Sequence, residues 1–546
     1  MTRRLYATGA FAAVCAAMTP GAAVAQNATG DRIDAIEKQI RNLQNELQQL
    51  KGELGEAKQQ LRQSRAETQR SKEEARQAQQ AAEQARQDAL KAATAETQAT
   101  QAAAQVQAAA ATPPPPPKSN IDIGFPNGRP TISTSDGRLS FAIGNQTQFD
   151  YGGYFQNTVP TTQFPRLNDG VNLRRERIFF VWKYDDWTLN VTPDLGGSPE
   201  GVNTSQYLYE ANLNYTGIKP VTVTMGYFKP WFSLYDSESS QDFLLMERPS
   251  IIEIARNVAA GDARASVGGK ANGDAVFGLP ATSWFASWYA TGSPYGSQTS
   301  SLLNGQQIST VGRLAGRPYY DEDWNWTLDF SGEYVFQPAK SNGQYPVSLG
   351  DRPEDRAADQ NKLINTGNLN IQNVAVYGGE TGINWRNLLL QGGFYHIGED
   401  QQPNGTQPTP HLNFHGGYVE GGWVLTGEPI RYSTGSAAFA RPKVANPFEI
   451  TEDGIAWGPG AWELGARWSV MNLNSNVTPG VPQSHTGGIF GGLSHIFGAN
   501  LSWYPNDFIR FYLQFQVTQI DKLNSAGTAQ LGQRFETLAG RFQVAF

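Results

Sequence analysis

Three arginines stand close together in one short stretch of the chain, namely Arg174, Arg175 and Arg177. A planar guanidinium group pairs with two oxygens of a phosphate or carboxylate at once, so these side chains suit the recognition of anions. Successive residues of a regular strand face opposite sides, so such a strand would direct only one of Arg174 and Arg175 toward a shared site. Arg177 has the orientation of Arg175, which favours that pair. For each arginine the alternative is a solvated charge in a loop or among lipid headgroups.

The chain lacks the sequence motifs that usually accompany catalysis. It contains no GxSxG elbow, no HExxH pair and no glycine-rich phosphate-binding loop. His411 and His415 have the spacing of metal ligands on a helix, but Pro408 and Pro410 precede them and disfavour a helix there. We therefore expect no enzyme, no catalytic residue, no metal site and no cofactor. The net charge of −7 argues against nucleic acid as a partner.

From Asn120 onward the apolar residues recur with a period of two, which indicates strands. In Trp324–Gln337 the even positions are mostly apolar and the odd positions are mostly polar, and 207–216, 462–469 and 509–518 alternate in the same way. One face of each strand would then meet lipid and the other water. By this pattern Tyr209 falls on the apolar face, and the polar face carries Glu210, Asp329, Glu333 and Glu463.

A soluble sandwich alternates as well, with its apolar face inside. Aromatic residues near strand ends fit membrane interfaces better, and the final alternating segment stops at Phe546. A C-terminal aromatic residue on such a strand resembles the recognition signal of bacterial outer-membrane barrels. At about 10 residues per strand plus loops, the roughly 430 residues that remain allow an all-β transmembrane barrel of about 16 antiparallel strands. A barrel of that width leaves an aqueous lumen unless it is plugged, and no compact plug domain is visible.

The first part of the chain has the pattern of an export signal followed by a helix. Residues 1–25 have a basic start, an apolar stretch and an Ala-Val-Ala cleavage site, which is typical of a signal peptide. Residues 26–95 predict an α-helical coiled coil in the periplasm, because apolar side chains alternate at spacings of three and four. Residues 96–119 form an Ala/Gln-rich and Pro-rich linker, and 120–546 the barrel. The heptad positions that carry the pattern are Ile36, Ile40, Leu43, Leu47, Leu50, Leu54, Ala57 and Leu61.

Four blocks of the chain resemble the phosphate-selective porins O and P. The run LRRERIFFVWKYDDWTLNVTPDLGG (Leu173–Gly197) is similar to the early barrel hairpin of that family, with its paired arginines. The most recognisable block is LYEANLNYTGIKPVTVTMGYFKPWFSLYDSESSQDFLLMERPS (Leu208–Ser250). GAWELGARWSVMNL (Gly460–Leu473) and GANLSWYPNDFIRFYLQFQ (Gly498–Gln516) are similar to the C-terminal part. The resemblance covers about Ile121 to Phe546.

The resemblance implies a homotrimer of 16-stranded barrels, each narrowed by a loop that folds inward. Phe232–Asn257 is the best candidate for that loop. Arg174 and Arg175 match the paired arginines of the family. We therefore take six residues as candidates for lining the pore and setting its selectivity: Arg174, Arg175, Arg177, Lys229, Arg248 and Arg256.

We therefore expect passive diffusion of small hydrophilic solutes across the bacterial outer membrane, with anions such as phosphate as candidate solutes. From residue 118 onward the chain has 29 Lys and Arg against 38 Asp and Glu, and this acidic surplus argues against phosphate specificity. The alternative function is a structural tether, in which the periplasmic coiled coil links the outer membrane to peptidoglycan. Deleting Gln26–Pro117 would distinguish the two.

Overall fold

The computed structural model describes residues 120–546 apart from a few short gaps. The predicted signal peptide, coiled coil and linker, which occupy residues 1–119, lie outside the described residues. The gaps are 157–165, 197–206, 298–302, 353, 357–360, 404, 406–407 and 452–453.

Sixteen long strands form a closed antiparallel barrel, which confirms the predicted architecture and strand number. Each strand pairs with the next along the chain, and the last strand pairs with the first, from Phe535 opposite Gln156 to Ala545 opposite Gln146. The barrel strands are β3 (Leu139–Gln156), β4 (Gly170–Tyr184), β5 (Trp187–Pro193), β6 (Leu208–Ile218), β7 (Val221–Phe228), β8 (Arg264–Asp274), β9 (Ser283–Pro294), β10 (Ile308–Tyr320), β11 (Trp324–Gln337), β15 (Leu369–Trp385), β16 (Leu388–Gln401), β17 (Leu412–Val424), β22 (Ala461–Ser475), β23 (Ile489–Tyr504), β24 (Ile509–Asp521) and β25 (Arg534–Ala545).

Shorter strands and helices precede the first barrel strand or lie between later ones, and some of them lie inside the barrel. The short strands are β1 (Ile121–Gly124), β2 (Thr131–Thr134), β12 (Pro346–Val347), β13 (Gly350–Asp351), β14 (Ile364–Asn365), β18 (Arg431–Ser433), β19 (Ala438–Ala440), β20 (Phe448–Thr451) and β21 (Gly454–Trp457). The helices are α1 (Leu234–Ser237), α2 (Ser250–Ala259) and α3 (Gln483–Thr486), with 3₁₀ turns at Pro126–Gly128 and Val276–Gly278. No helix in the described part of the chain is long and apolar enough to cross a membrane.

The predicted alternation of side chains is present in the barrel wall. Along β24, Phe511, Leu513 and Phe515 are exposed on the outer surface, while the intervening Arg510 and Gln514 are buried in the lumen. Apolar side chains can face lipid only where every backbone group is paired within the wall, as the closed ladder provides. The same arrangement holds along β11, β22 and β25.

The lumen side of the wall is not polar throughout, although the alternation predicted that this face of each strand meets water. On one side of the barrel, apolar residues that point inward pack against the apolar face of α2. Val335, which the alternation assigned to the polar face, is one of them. Burying these side chains against a helix replaces the water that a polar lumen would hold. The cluster includes Ile251, Ile254, Ala255 and Val258 of α2 with Val335, Val374, Val376, Ile397, Phe414, Met471 and Leu473 of the wall.

In the part of the chain that the structure describes, three segments fold into the barrel, whereas the sequence predicted one. The inward loop, residues 229–263, runs between β7 and β8 and includes the predicted segment; within it, the Met246 amide donates to Gln514 on the far wall, at 2.9 Å. A second inward loop, residues 338–368, reaches the lumen, where the Glu354 carboxylate accepts a hydrogen bond from Arg467 at 2.6 Å. The third segment, residues 425–460, enters from the opposite end, and Arg313 donates to the Ser436 carbonyl at 2.7 Å.

Candidate functional site

A β-bulge brings Arg174 and Arg175 to the same site. Gln148 pairs with Arg175 while the next residue, Phe149, pairs with Leu173, so Arg174 is the extra residue of β4. An extra residue breaks the strict alternation of a strand and can redirect a side chain. The expectation that only one of the two arginines would face the site was therefore wrong.

Both arginines contact one carboxylate of the inward loop. The Arg174 guanidinium donates two hydrogen bonds to Glu247, at 2.8 and 3.0 Å. Arg175 approaches the same carboxylate at 3.5 Å, and Arg541 of β25 donates to it at 2.8 Å. Arg541 also binds Asp150 with two hydrogen bonds, at 2.6 and 2.7 Å. Burial opposes ionisation, yet Arg174 and Arg175 hold the pKa of Glu247 well below its usual range.

Arg177 lies further along the same wall, oriented into the lumen as its spacing from Arg175 predicted. Its Nε donates to Asp194 at 2.7 Å, and its guanidinium lies over the Tyr209 ring, 3.6 Å from the ring centre. Tyr209 thus faces the lumen and not the lipid. The prediction from the alternation, which placed Tyr209 on the apolar face, was wrong. The cause is a second bulge, because Thr192 pairs with Glu210 and Pro193 with Leu208, which leaves Tyr209 as the extra residue.

The other three candidates share a buried carboxylate at α1. Asp236 approaches Arg256 at 2.6 Å, Arg248 at 3.0 Å and Lys229 at 3.9 Å. Arg256 also binds Asp262, and Arg248 lies over the Phe243 ring. These contacts tie α1, α2 and the start of the inward loop together. The six predicted residues therefore form two groups, one on the wall around Glu247 and Asp194 and one within the inward loop around Asp236.

A cavity of about 840 Å³ lies between these groups and the second inward loop. Five of the six candidates line it, and Lys229 contacts the same cluster through Asp236. Its acidic lining residues are Asp194, Glu253 and Asp262. Its basic lining residues are Arg174, Arg175, Arg177, Arg248, Arg256, Arg264, Arg352, Arg356 and Lys362.

The sequence interpretation missed four of these basic residues, Arg264, Arg352, Arg356 and Lys362. Arg264 opens β8 and donates to the Asn257 carbonyl of α2 at 2.8 Å. Arg356 binds Glu253 at 2.8 Å. Three of the four lie on the second inward loop, and the residue pattern of that loop gives no signal that it turns inward. Only the presence of basic side chains at 352, 356 and 362 could have suggested that the loop lines the cavity.

Two carboxyl groups beside Arg356 have opposite titration behaviour. Burial disfavours the ionised form of Glu253, but Arg356 and Arg256 lower its pKa to about 2. Burial raises the pKa of Asp351 to about 7, an effect that Arg356 offsets only in part. At neutral pH Glu253 is therefore charged, whereas Asp351 is close to half protonated.

Of the four acidic residues predicted on the lumen face, three are buried in the lumen and engaged by neighbours. The fourth, Glu210, is half-buried and accepts a hydrogen bond from Thr192 at 3.2 Å. Asp329 pairs with Arg313 at 2.6 Å, and Glu463 pairs with Arg510 at 2.8 Å. Glu333 accepts a hydrogen bond from the Ala259 amide at the end of α2, at 2.8 Å. These carboxylates anchor the inserted segments or neutralise single arginines. The acidic surplus of the whole chain therefore does not describe the lining of the cavity.

Three glycines on neighbouring strands make room for the inward loop. A Cβ atom on Gly465 would lie 2.6 Å from Cγ of Leu244, and one on Gly422 would lie 3.1 Å from Cδ1 of the same leucine. A Cβ on Gly498 would lie 2.7 Å from Cδ2 of Leu245. We call Gly422, Gly465 and Gly498 the glycine seat. It holds the loop against β17, β22 and β23.

The described residues contain no group of three or more His, Cys, Asp and Glu side chains placed to hold a metal ion. His415 lies on β17 and pairs with His396 of β16. The His411 ring contacts Asp400 at 2.7 Å. These histidines lie away from the arginine-lined cavity.

Comparisons with known proteins agree with this geometry. The family model for phosphate-selective porins O and P matches residues 141–546. An uncharacterized protein of Caulobacter vibrioides is 25% identical over 194 residues, which are 35% of this chain and 34% of that protein. The chain thus matches about a third of the length of this relative.

Two solved structures are distant likenesses of the barrel. The trimer form of OmpT, an outer-membrane protein of Vibrio cholerae, has a TM-score of 0.42 at 10% identity, over 75% of this chain and 99% of that one. An anion-selective porin from Comamonas acidovorans has a TM-score of 0.43 at 8% identity, over 75% of this chain and 100% of that one. The family match spans the barrel, its inward loops and its arginines. The chain therefore belongs to the phosphate-selective porin O and P family.

Proposed function

We propose that this porin lets small hydrophilic solutes diffuse passively through its lumen and that small anions such as phosphate are the preferred class. The observation that carries the proposal is the cavity in which nine basic side chains accompany three acidic ones. Fixed cations that outnumber fixed anions in a narrow, partly dry space concentrate anions and repel cations.

The ion pairs in the lining are compatible with this preference. Around Glu247 there are two carboxylates and three guanidinium groups. Glu247 contacts Arg174, Arg175 and Arg541, and Arg541 also binds Asp150. A guanidinium has five N–H donors, so one or two ion pairs leave others available to a passing anion. The carboxylates also hold the arginines extended, which lowers the entropy cost of each contact with a solute.

The proposal is tested by asking whether phosphate competes with chloride at these arginines. Single channels of the whole protein are recorded in KCl while phosphate is added. We expect phosphate to reduce the chloride current in a concentration-dependent way. In the double variant Arg175→Gln/Arg177→Gln, the phosphate concentration that halves the chloride current should be at least about tenfold higher, because charge-assisted hydrogen bonds are lost.

The matched control is Arg138→Gln. Arg138 is also paired with an aspartate, Asp185, at 2.7 Å, but its side chain is 57% exposed at the turn end of the barrel. Its phosphate block should equal that of the unchanged protein. An unchanged protein that phosphate does not block, or a control that behaves like the double variant, would contradict the proposal.

The remaining parts of the proposal concern assembly and the N-terminal residues. We propose a homotrimer, a cleaved signal peptide at residues 1–25, and a periplasmic coiled coil at 26–95 joined by the linker 96–119. Support comes from the sequence pattern and from the family resemblance. Contact of the coiled coil with peptidoglycan stays a prediction, and the tether as the main function has no support in the family match.

A further inference from the structure

Three histidines lie near one another on the outer face of two neighbouring strands. His396 of β16 pairs with His415 of β17, and Gly398 pairs with Asn413 nearer the same end of the barrel. These positions alternate with buried ones, so their side chains point away from the lumen. His411 precedes β17, and its ring lies over Gly398. The spacing of His411 and His415, which the sequence connected with a metal only on a helix, thus places both on one side of the wall.

Gly398 leaves space for two of these imidazole rings. A Cβ atom on Gly398 would lie 2.9 Å from Nε2 of His411 and 3.8 Å from Nε2 of His396. The first of these distances is too short for a real Cβ contact, so the ring of His411 occupies the space that a side chain would fill. Both Nε2 atoms therefore lie within 4 Å of one point. We call His396, Gly398 and His411 the histidine pocket.

Asp400 orients the ring of His411. The Nδ1 atom of His411 lies 2.7 Å from Oδ1 of Asp400. A neutral imidazole that donates from Nδ1 to this carboxylate keeps its lone pair on Nε2. Histidines that bind metal ions usually donate their other ring N–H to a carboxylate or a carbonyl in this way. The pocket thus presents the nitrogen of His411 that can act as a ligand.

The ligand atoms of the pocket fit a transition-metal ion. Imidazole nitrogen suits Zn²⁺, Cu²⁺ and Ni²⁺, whereas Mg²⁺ and Ca²⁺ prefer oxygen. Two nitrogens that bind one tetrahedral zinc ion at about 2.0–2.1 Å lie roughly 3.4 Å apart. Since both Nε2 atoms lie within 4 Å of the same point, small rotations of the rings bring them to that separation.

We propose that His396 and His411 bind a zinc ion on the outer surface of the barrel, at the end opposite the short turns. The described residues place two imidazoles there, and not three or more ligand side chains, so water fills the other positions of the ion. The ladder between β16 and β17 ends at Glu399 opposite Leu412. A bound ion joins the two strands just past that point.

This site goes beyond the proposed passage of anions and does not depend on it. It also differs from the expectation drawn from the sequence, which considered His411 and His415 only as a helical pair. The partner of His411 is a histidine of the neighbouring strand, and only the register of β16 with β17 brings the two together.

The test is titration of the untagged full-length protein with zinc chloride in a calorimeter. We expect saturation at one ion per chain. His411→Ala should abolish this binding, and Asp400→Asn should raise the dissociation constant about 10- to 100-fold. Excess Mg²⁺ should not displace the zinc.

The matched control is His485→Ala. His485 is an exposed histidine of α3, and the variant should bind zinc as the unchanged protein does. An unchanged protein that takes up no zinc would overturn the proposal, and so would displacement of the zinc by Mg²⁺. Equal losses in the variants at 411 and 485 would show unspecific binding to surface histidines.

Gly398→Val gives an independent readout, because it fills the pocket and keeps both histidines. The dissociation constant for zinc should rise at least about tenfold, while the single-channel conductance stays unchanged and shows that the barrel is folded. Gly312→Val, where a Cβ would meet nothing within 4 Å, is its control and should bind zinc normally. Full zinc affinity in Gly398→Val would contradict the position of the site.

Discussion

At the scale of single residues, the selective part of the lumen depends on carboxylates that several cations share. Glu247 meets Arg174, Arg175 and Arg541, and Asp236 meets Lys229, Arg248 and Arg256. A shared carboxylate fixes the positions of its cations without neutralising all of them. We therefore expect the local excess of positive charge, and not the net charge of the chain, to determine which ions enter.

Glu247→Gln should make the channel more selective for anions. The substitution keeps a hydrogen-bonding side chain but removes one negative charge from among three guanidinium groups, so the reversal potential in a KCl gradient should move closer to the chloride potential. Removing one partner of a buried ion pair should also lower the free energy of unfolding by about 3 kcal/mol, measured by thermal unfolding. The control Glu322→Gln, in an exposed turn, should change neither the reversal potential nor the free energy of unfolding. A shift toward the potassium potential would contradict this account.

The Asp351 carboxyl should make chloride passage depend on pH near neutrality. Burial raises its pKa to about 7, so it is neutral below that pH and negative above it. The charge appears beside Arg356, with Glu253 nearby, and chloride conductance should therefore fall between about pH 6 and pH 8. Relative to the unfolded chain, this raised pKa adds stability that is fully present below about pH 4 and is lost as the pH rises from there through about 7.

The measurement compares chloride conductance against pH in the unchanged protein and in Asp351→Asn. The variant should lack the fall near neutrality. Asp136→Asn serves as the control, because a hydrogen bond from Thr134 lowers the pKa of the exposed Asp136 and keeps it charged throughout. Chloride is the test ion because phosphate itself changes charge near neutral pH. If both variants keep the full pH dependence, another group is responsible.

At the scale of elements, the inward loop is held by complementary shapes as well as by ion pairs. The glycine seat receives Leu244 and Leu245, and α2 packs against apolar residues of the same and neighbouring strands, among them Phe414 of β17 and Met471 of β22. These contacts fill one side of the lumen. The arginine-lined cavity lies beside this filled region, and we expect solutes to pass through it.

Gly465→Val should displace the inward loop. Its Cβ would lie 2.6 Å from Cγ of Leu244, so either the leucine or the wall must shift. Such overpacking costs about 1–3 kcal/mol and should lower the temperature of unfolding. The single-channel conductance should change as well, because Leu244 lies on the loop that narrows the lumen. The control is Gly312→Val on β10, where a Cβ would meet nothing within 4 Å. Equal effects of the two variants would contradict the role of the seat.

Much of the barrel could be predicted from the alternation of residues, because each strand carries its own signal of two faces. The shared orientation of Arg175 and Arg177 and the lumen position of Glu463 follow from that rule. The closed barrel needed more, because a soluble sandwich alternates as well; it was predicted from the aromatic residues near strand ends and from the family resemblance. The inward loop was predicted through the family resemblance and not through alternation.

The bulges at Arg174 and Tyr209 could not be predicted from the chain, because a bulge depends on the register with the neighbouring strand. The glycine seat has no signal of its own in the sequence, because the need for glycine appears only when Leu244 and Leu245 are in place. The second inward loop and the segment at 425–460 enter the lumen through contacts with distant strands, which local sequence patterns do not encode.

At the scale of the whole molecule, the described barrel contains every contact that the proposed passage needs. Deleting Gln26–Pro117, with the signal peptide kept, should therefore leave the conductance of a single channel unchanged. Planar-bilayer recording of the purified variant measures it. A changed conductance would mean that the N-terminal segment takes part in the pore. A loss of oligomers at unchanged conductance would assign that segment to assembly.

If fixed cations in the lumen select anions, the preference should appear in the reversal potential of the unchanged protein in a KCl gradient. A lumen in which basic side chains outnumber acidic ones should give a reversal potential close to the chloride potential. A reversal potential close to the potassium potential would show that the acidic residues dominate, and it would contradict the account.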